Sequence, residues 1–125
     1  MESCIFCEIA TTDPKKQILR RFTKKELNGI CDVVVFAPLK PRVDGHLLFV
    51  PQQHINNIGD ISFESPEVVA TTMKAVNHYL FENPTQCNVW TNHGHDAEQT
   101  VFHLHVHLVP RIDGDDINLL WKDKK

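Results

Sequence analysis

The chain has 125 residues, of which 42% are hydrophobic and 23% charged, and a formal net charge of −3 when its eight histidines are neutral. That length supports one hydrophobic core and one domain spanning 1–125. The slightly acidic balance excludes a general nucleic-acid binder held by a broad basic surface. No apolar run reaches membrane-spanning length, and none follows Met1 as a secretory signal would. The expected compartment is the cytosol, or the nucleus, where thiols stay reduced or bind metal.

The chain opens on Cys4-Ile5-Phe6-Cys7. Two cysteines at this spacing suit half a zinc site, a redox pair or two small core residues, and the spacing alone does not choose. Ile5, Phe6 and Ile9 suggest a short helical turn packed on the body. Asp13-Pro14 marks a loop, and Ile18 to Phe22 reads as a short strand. Asn28-Gly29 is a hairpin signal. It is followed by Ile30 to Ala37, rich in β-branched residues, so strands near 18–23 and 30–37 are expected to pair antiparallel. Cys31 and Cys87 read as buried thiols. Pro38 to Gly45 is a crossing loop, and Leu47 to Val50 an apolar strand bracketed by His46 and His54.

Ser65-Pro66 looks like a cap and a first helical residue. Val69, Met73, Val76 and Leu80 then recur at helical spacing, which predicts one long helix with that stripe in the core. Cys87 to Trp90 is another short strand. The polar loop Thr91 to Glu98 carries His93 and His95, both expected to be exposed. A polar tail begins near Arg111, with an apolar patch at Leu119, Leu120 and Trp121 suited to docking on the body or on a second subunit. About five strands with short links and two helices make an α+β fold with an antiparallel sheet.

Thr100 to Pro110 carries the chemistry. Read as one strand, it places His103, His105 and His107 on one face, with same-face neighbours ~7 Å apart, and Phe102, Leu104, Val106 and Leu108 on the other. A row of imidazoles adds little to stability, because protonated rings repel and neutral ones need partners at both nitrogens. It suits a covalent nucleophile on phosphorus or a three-histidine metal site. Asn92, Gln99 and Thr100 stand beside it as neutral donors for phosphoryl oxygens. The chain has no Gly-Lys-Thr phosphate loop and no Asp/Glu cluster for Mg²⁺, which fits a metal-independent route.

His103-Leu104-His105-Val106-His107-Leu108-Val109 resembles the signature of the histidine-triad family. Gly45-His46 through Pro51-Gln52-Gln53-His54, Asn92, and Gln99-Thr100-Val101 resemble its companion segments, and Cys4-Ile5-Phe6-Cys7 resembles the start of its zinc-carrying branch. The resemblance covers nearly the whole chain. It implies a five-stranded antiparallel sheet with a short N-terminal helix and one longer helix, usually a homodimer. It also implies a hydrolase or transferase that cleaves a nucleotide conjugate, of phosphoramidate or dinucleotide type, at the α-phosphate. His105 would be the nucleophile, forming a nucleotidyl-histidine that water resolves. His107 and His46 would contact phosphate or assist proton transfer. Asn92, Gln99 and Thr100 would line the phosphate pocket, and Phe6, Ile9, Val35 and Phe36 would hold base and ribose. Structural zinc would sit on Cys4, Cys7, His54 and His103, with no organic cofactor. The rival readings are a non-catalytic nucleotide-binding protein and a three-histidine metallohydrolase. The chain departs from the pattern at Pro38, where phosphoramidate-cleaving relatives often carry an acid for the ribose hydroxyls, and at Glu98, where a small residue is usual.

Overall fold

The structure, a computed structural model, describes residues 4–117. The expected apolar patch at Leu119, Leu120 and Trp121 lies outside them. Its elements are α1 (Ile5–Thr12), β1 (Arg20–Phe22), α2 (Lys24–Leu27), β2 (Val33–Phe36), β3 (Leu47–Pro51), α3 (Ser65–Glu82), β4 (Cys87–Trp90) and β5 (Val106–Pro110). The five strands form one antiparallel sheet in the order β1-β2-β3-β5-β4. The α+β architecture and its strand count are those the sequence implied.

The sheet is covered on both sides, so β2 and β3 are buried throughout and read as unbroken apolar runs. Val33, Val35, Leu47, Phe49, Val106 and Leu108 pack toward α3, against Ala75 and Val76. Val34, Phe36, Leu48 and Val50 pack toward α1, against Phe6, Ile9 and Ala10. Burying each such side chain contributes about 1.5–3 kcal/mol. Phe49 is fully buried at the centre, and truncating it to Ala would cost about 3–5 kcal/mol.

Three expectations are corrected here. The segment joining β1 to β2 is not a two-residue hairpin. Thr23 and Glu26 form a reciprocal capping box that nucleates the one-turn helix α2. Asn28 ends it in the left-handed conformation. Gly29 then passes so close to α3 that a Cβ would stand 2.5 Å from the Thr71 methyl. The strands it links still pair antiparallel.

The second correction concerns α3. Its cap is Glu64, and Ser65 is already helical, with its hydroxyl donating to the Asp60 carbonyl. Its buried face is Val68, Thr71, Thr72, Ala75 and Val76; of the expected stripe Val76 is buried, Val69 and Leu80 are partly buried against the core, and Met73 is exposed. Two threonines can line that face because each is locally satisfied. Thr72 donates to the Val68 carbonyl, and Thr71 accepts the Ile30 N–H.

The third concerns the histidine stretch. Only Val106–Pro110 is laddered strand. Residues 100–105 run outside the sheet, and the Leu104 N–H donates to the Ile55 carbonyl at 2.8 Å. Leu104 packs with Ile55 and Val68, and Phe102 is about half exposed. No helix among the described residues is long and apolar enough to cross a membrane.

Candidate active site and metal centre

His103 is fully buried, and its Nε2 lies 2.7 Å from the Pro51 carbonyl. A carbonyl only accepts, so Nε2 carries the proton and the Nδ1 lone pair faces away. That Nδ1 stands 3.4 Å from both Cys4 Sγ and Cys7 Sγ. His54 repeats the arrangement. Its Nε2 donates to the Asn56 side-chain oxygen at 3.1 Å, and its Nδ1 meets Cys7 Sγ at 3.2 Å. The ligand atoms of Cys4, Cys7, His54 and His103 all lie within 4.8 Å of one another. The three S···N separations approach the ~3.5 Å of a tetrahedral zinc shell. These residues can hold a metal ion, and both imidazoles have the outer hydrogen bond that orients a metal-binding histidine. The first turn of α1 supplies the sulfurs. Cys4 caps the helix by accepting the Cys7 N–H, which brings the two thiols together. Burial and the adjacent Cys4 push the free Cys7 thiol up to about 11.

The other two triad rings have different partners. His105 Nδ1 donates to the His103 carbonyl at 2.8 Å, which leaves the Nε2 lone pair unengaged. Phe6 packs edge-on to that ring, with centroids 5.1 Å apart. The His107 ring centroid stands 5.2 Å away, so the two imidazoles share one site. His46 joins from the start of β3. Its Nδ1 accepts the Arg42 backbone N–H at 2.9 Å, so its proton is on Nε2, which donates to His107 Nδ1 at 3.0 Å. The His107 proton is thereby placed on Nε2. Burial lowers all three imidazoles, and the neighbouring rings help to hold His107 down to about 4. The site therefore presents an unengaged ring nitrogen on His105 beside a neutral N–H donor on His107. The metal-binding group of described residues contains His103 but neither His105 nor His107.

Several predicted contacts fall differently. Gln99 is buried, and its amide is fully committed. Its oxygen accepts from Gly94 N–H and Asn57, and its nitrogen donates to the Asn56 and Val101 carbonyls. It clips the 92–101 loop to the segment after β3 rather than pointing a donor at phosphate. Asn92 donates to the Ala97 carbonyl from a partly open position, and Thr100 is exposed. Phe36 is buried behind Phe6, at 5.5 Å, and Ile9 is buried with them. Val35 alternates onto the α3 face and cannot join the base and ribose wall. Asp32, the nearest acid before Pro38, is held by Arg21 and the Lys24 N–H. His93 and His95 are exposed, as expected.

Sequence reasoning missed Trp90, whose ring stacks on His107, and the supporting acceptors at Pro51 and Asn56. Trp90 stands directly opposite His107 in the β4–β5 register. That pairing depends on strand register, which no sequence motif marks.

Comparison with known proteins agrees with this geometry. A family model described as the HIT domain, the histidine-triad domain, matches residues 30–114. The chain belongs to that family. It is 29% identical over 109 residues to an adenosine 5'-monophosphoramidase of Schizosaccharomyces pombe, covering 87% of this chain and 74% of that protein. A HIT family hydrolase from Clostridium thermocellum superposes with a TM-score of 0.72 at 27% identity, covering 95% of this chain and 99% of that one. A zinc-bound histidine triad family protein from Mycobacterium smegmatis superposes with a TM-score of 0.66 at 28% identity, covering 94% and 81%.

Proposed function

We propose that this chain is a nucleotide hydrolase or nucleotidyl transferase that cleaves a phosphorus–nitrogen or phosphoric anhydride bond at the α-phosphate of a nucleotide conjugate. One observation carries the reading. The His103 carbonyl holds the His105 proton on Nδ1, so Nε2 offers its lone pair beside the Nε2–H of His107. In the first step the His105 Nε2 forms a bond to the α-phosphorus, and the bond to the leaving group breaks. His107 Nε2–H hydrogen-bonds the phosphoryl oxygen or gives its proton to the departing group. His46 acts through His107, because both of its own nitrogens are occupied. Water then attacks the nucleotidyl-histidine: its oxygen bonds to phosphorus as the phosphorus–Nε2 bond breaks, and its proton replaces the one the leaving group took, which releases the nucleoside monophosphate and restores His105 and His107. On this reading Asn92 and Thr100 would line the phosphate pocket, and Phe6, edge-on to His105, would supply an apolar wall.

The thiolate and imidazole donor set favours zinc at Cys4, Cys7, His54 and His103, where it would brace α1 against the triad segment. A reducing compartment keeps those thiols available. The outer edge of β4, which pairs with no other strand among the described residues, and the exposed Met73 on α3 support a homodimer, which light scattering would measure.

Intact-mass spectrometry after a brief acid quench with an adenosine phosphoramidate tests the reaction. The expected result is one added nucleotidyl group in His107→Ala and none in His105→Ala. Nucleotide binding with neither adduct nor product would overturn catalysis in favour of a binding role.

A further inference from the structure

We infer that Trp90 is a positioning residue for this reaction: its indole fixes the plane of the His107 imidazole, while His46 fixes the ring's in-plane rotation. The inference rests on the role proposed above for His107. The two ring centroids lie 5.2 Å apart with only 14° between their planes, a parallel stack. His46 meets the same ring at a 42° tilt and His105 at 61°. The His46 bond holds one nitrogen, and a ring held at one nitrogen still swings about that bond. The flat indole removes the swing and shields one face of the ring from water. The free Nε2–H then points in one direction.

The backbone explains why a tryptophan reaches this ring. β4 is the edge strand next to β5, and Trp90 is the cross-strand partner of His107. Such a pair also supports a sheet edge, by roughly 0.2–1 kcal/mol. The positioning role makes a further demand. An aromatic face attracts a cation, so the stack favours the imidazolium that His107 becomes whenever it takes up a proton. Two titratable groups face His107, namely His46 from the turn before β3 and His105 from the segment before β5. Both oppose that charge, and the indole offsets them.

The test compares Trp90→Leu and Trp90→Phe in the full chain, with Trp90→Met as a second replacement that cannot stack. Two readouts are taken: kcat and KM on an adenosine phosphoramidate, and the ring ¹⁵N and ¹H signals of His107 across pH. The expected result for Leu and Met is a kcat about ten- to a hundredfold lower, with KM changed less than about twofold. The His107 titration should move to lower pH and its Nε2–H tautomer should lose population. Trp90→Phe should recover most of the kcat. Unchanged kcat and unchanged His107 signals in folded Leu or Met variants would overturn the inference, and so would failure of both variants to fold. Wild-type protein that does not turn over the phosphoramidate would sink the proposed reaction instead. The ring signals alone would then decide whether Trp90 sets the His107 geometry.

Discussion

His46 Nε2 lies 3.0 Å from His107 Nδ1, and the other His46 nitrogen accepts the Arg42 backbone N–H. The proton order along this chain follows from one fact, that a backbone N–H can only donate. His46→Ala should therefore lower kcat about ten- to a hundredfold and leave KM nearly unchanged, as steady-state kinetics would record. Gly45 precedes His46 at φ +89, and a Cβ there would stand 3.1 Å from Pro110 Cγ. Gly45→Ala should reproduce part of the same loss by shifting His46, since the left-handed backbone costs about 1–2 kcal/mol for an L side chain.

Burial lowers His105 and His46 below the ordinary imidazole value of 6.5, and His107 falls to about 4. In the proposed reaction His105 attacks as the neutral imidazole. The kcat/KM profile should therefore stay flat through the pH range where an exposed histidine already takes up its proton, and fall only at lower pH. Stability follows the same sign. The unfolded imidazole of residue 107 takes a proton near 6.5 and the folded one near 4. The folded state thus keeps its full stability above pH 6.5 and loses up to about 1.4 kcal/mol per pH unit as pH falls toward 4. Urea unfolding at pH 7.5, 6 and 5 should give steadily lower midpoints.

The fold and much of the site were legible in the sequence because they rest on local signals. Residues 33–36 and 47–51 are β-branched or apolar throughout, as strands buried on both faces require. The spacing of Cys4 and Cys7 leaves zinc, a redox pair and core burial open, and only the resemblance to the histidine-triad family joins them to His54 and His103, which the fold brings within 4.8 Å. What was hidden depends on register and on pairing at a distance. The stretch before Val106 alternates like a strand but has no ladder partner, because Leu104 bonds to Ile55 instead. Asn28-Gly29 signals a hairpin, and the Thr23–Glu26 capping box outweighs it by closing a helical turn first. Thr71 and Thr72 hide the buried face of α3 from a hydrophobic pattern. In the sequence Gln99 reads as a phosphate donor because nothing local shows that Asn56, Asn57, Gly94 and Val101 consume its amide.

That commitment of Gln99 makes a stability prediction. Gln99→Ala would leave the Gly94 N–H and the Asn56 carbonyl without their partner in a place water reaches poorly, since Gln99 is only 2% exposed. The expected cost is about 2–4 kcal/mol in urea unfolding. Gln99→Glu should do comparable harm, because a carboxylate oxygen would face the Asn56 and Val101 carbonyls where an N–H₂ now donates. A variant that unfolds like wild type but binds nucleotide poorly would return Gln99 to the phosphate pocket.

The candidate metal centre and the proposed nucleophile share one short segment: the His103 ring faces the thiols while the His103 carbonyl holds His105. Phe6 lies between the two cysteines in sequence and packs edge-on to both imidazoles, 6.1 Å from His103 and 5.1 Å from His105. Losing the metal should therefore loosen the nucleophile as well as the N-terminus. Cys4→Ser with Cys7→Ser should abolish stoichiometric zinc in elemental analysis. It should also lower the melting temperature by about 10 °C, since a ligand at a hundred times its Kd stabilises by about 2.7 kcal/mol and each kcal/mol is worth about 4 °C in a domain of this size. A chelator should do the same to the wild type, reversibly on adding zinc. Turnover should fall with it, because His105 keeps its acceptor only while His103 is held in place. Zinc retained by the double variant would move the metal off the cysteines. Zinc lost without any change in melting would mean that the four residues do not brace the fold.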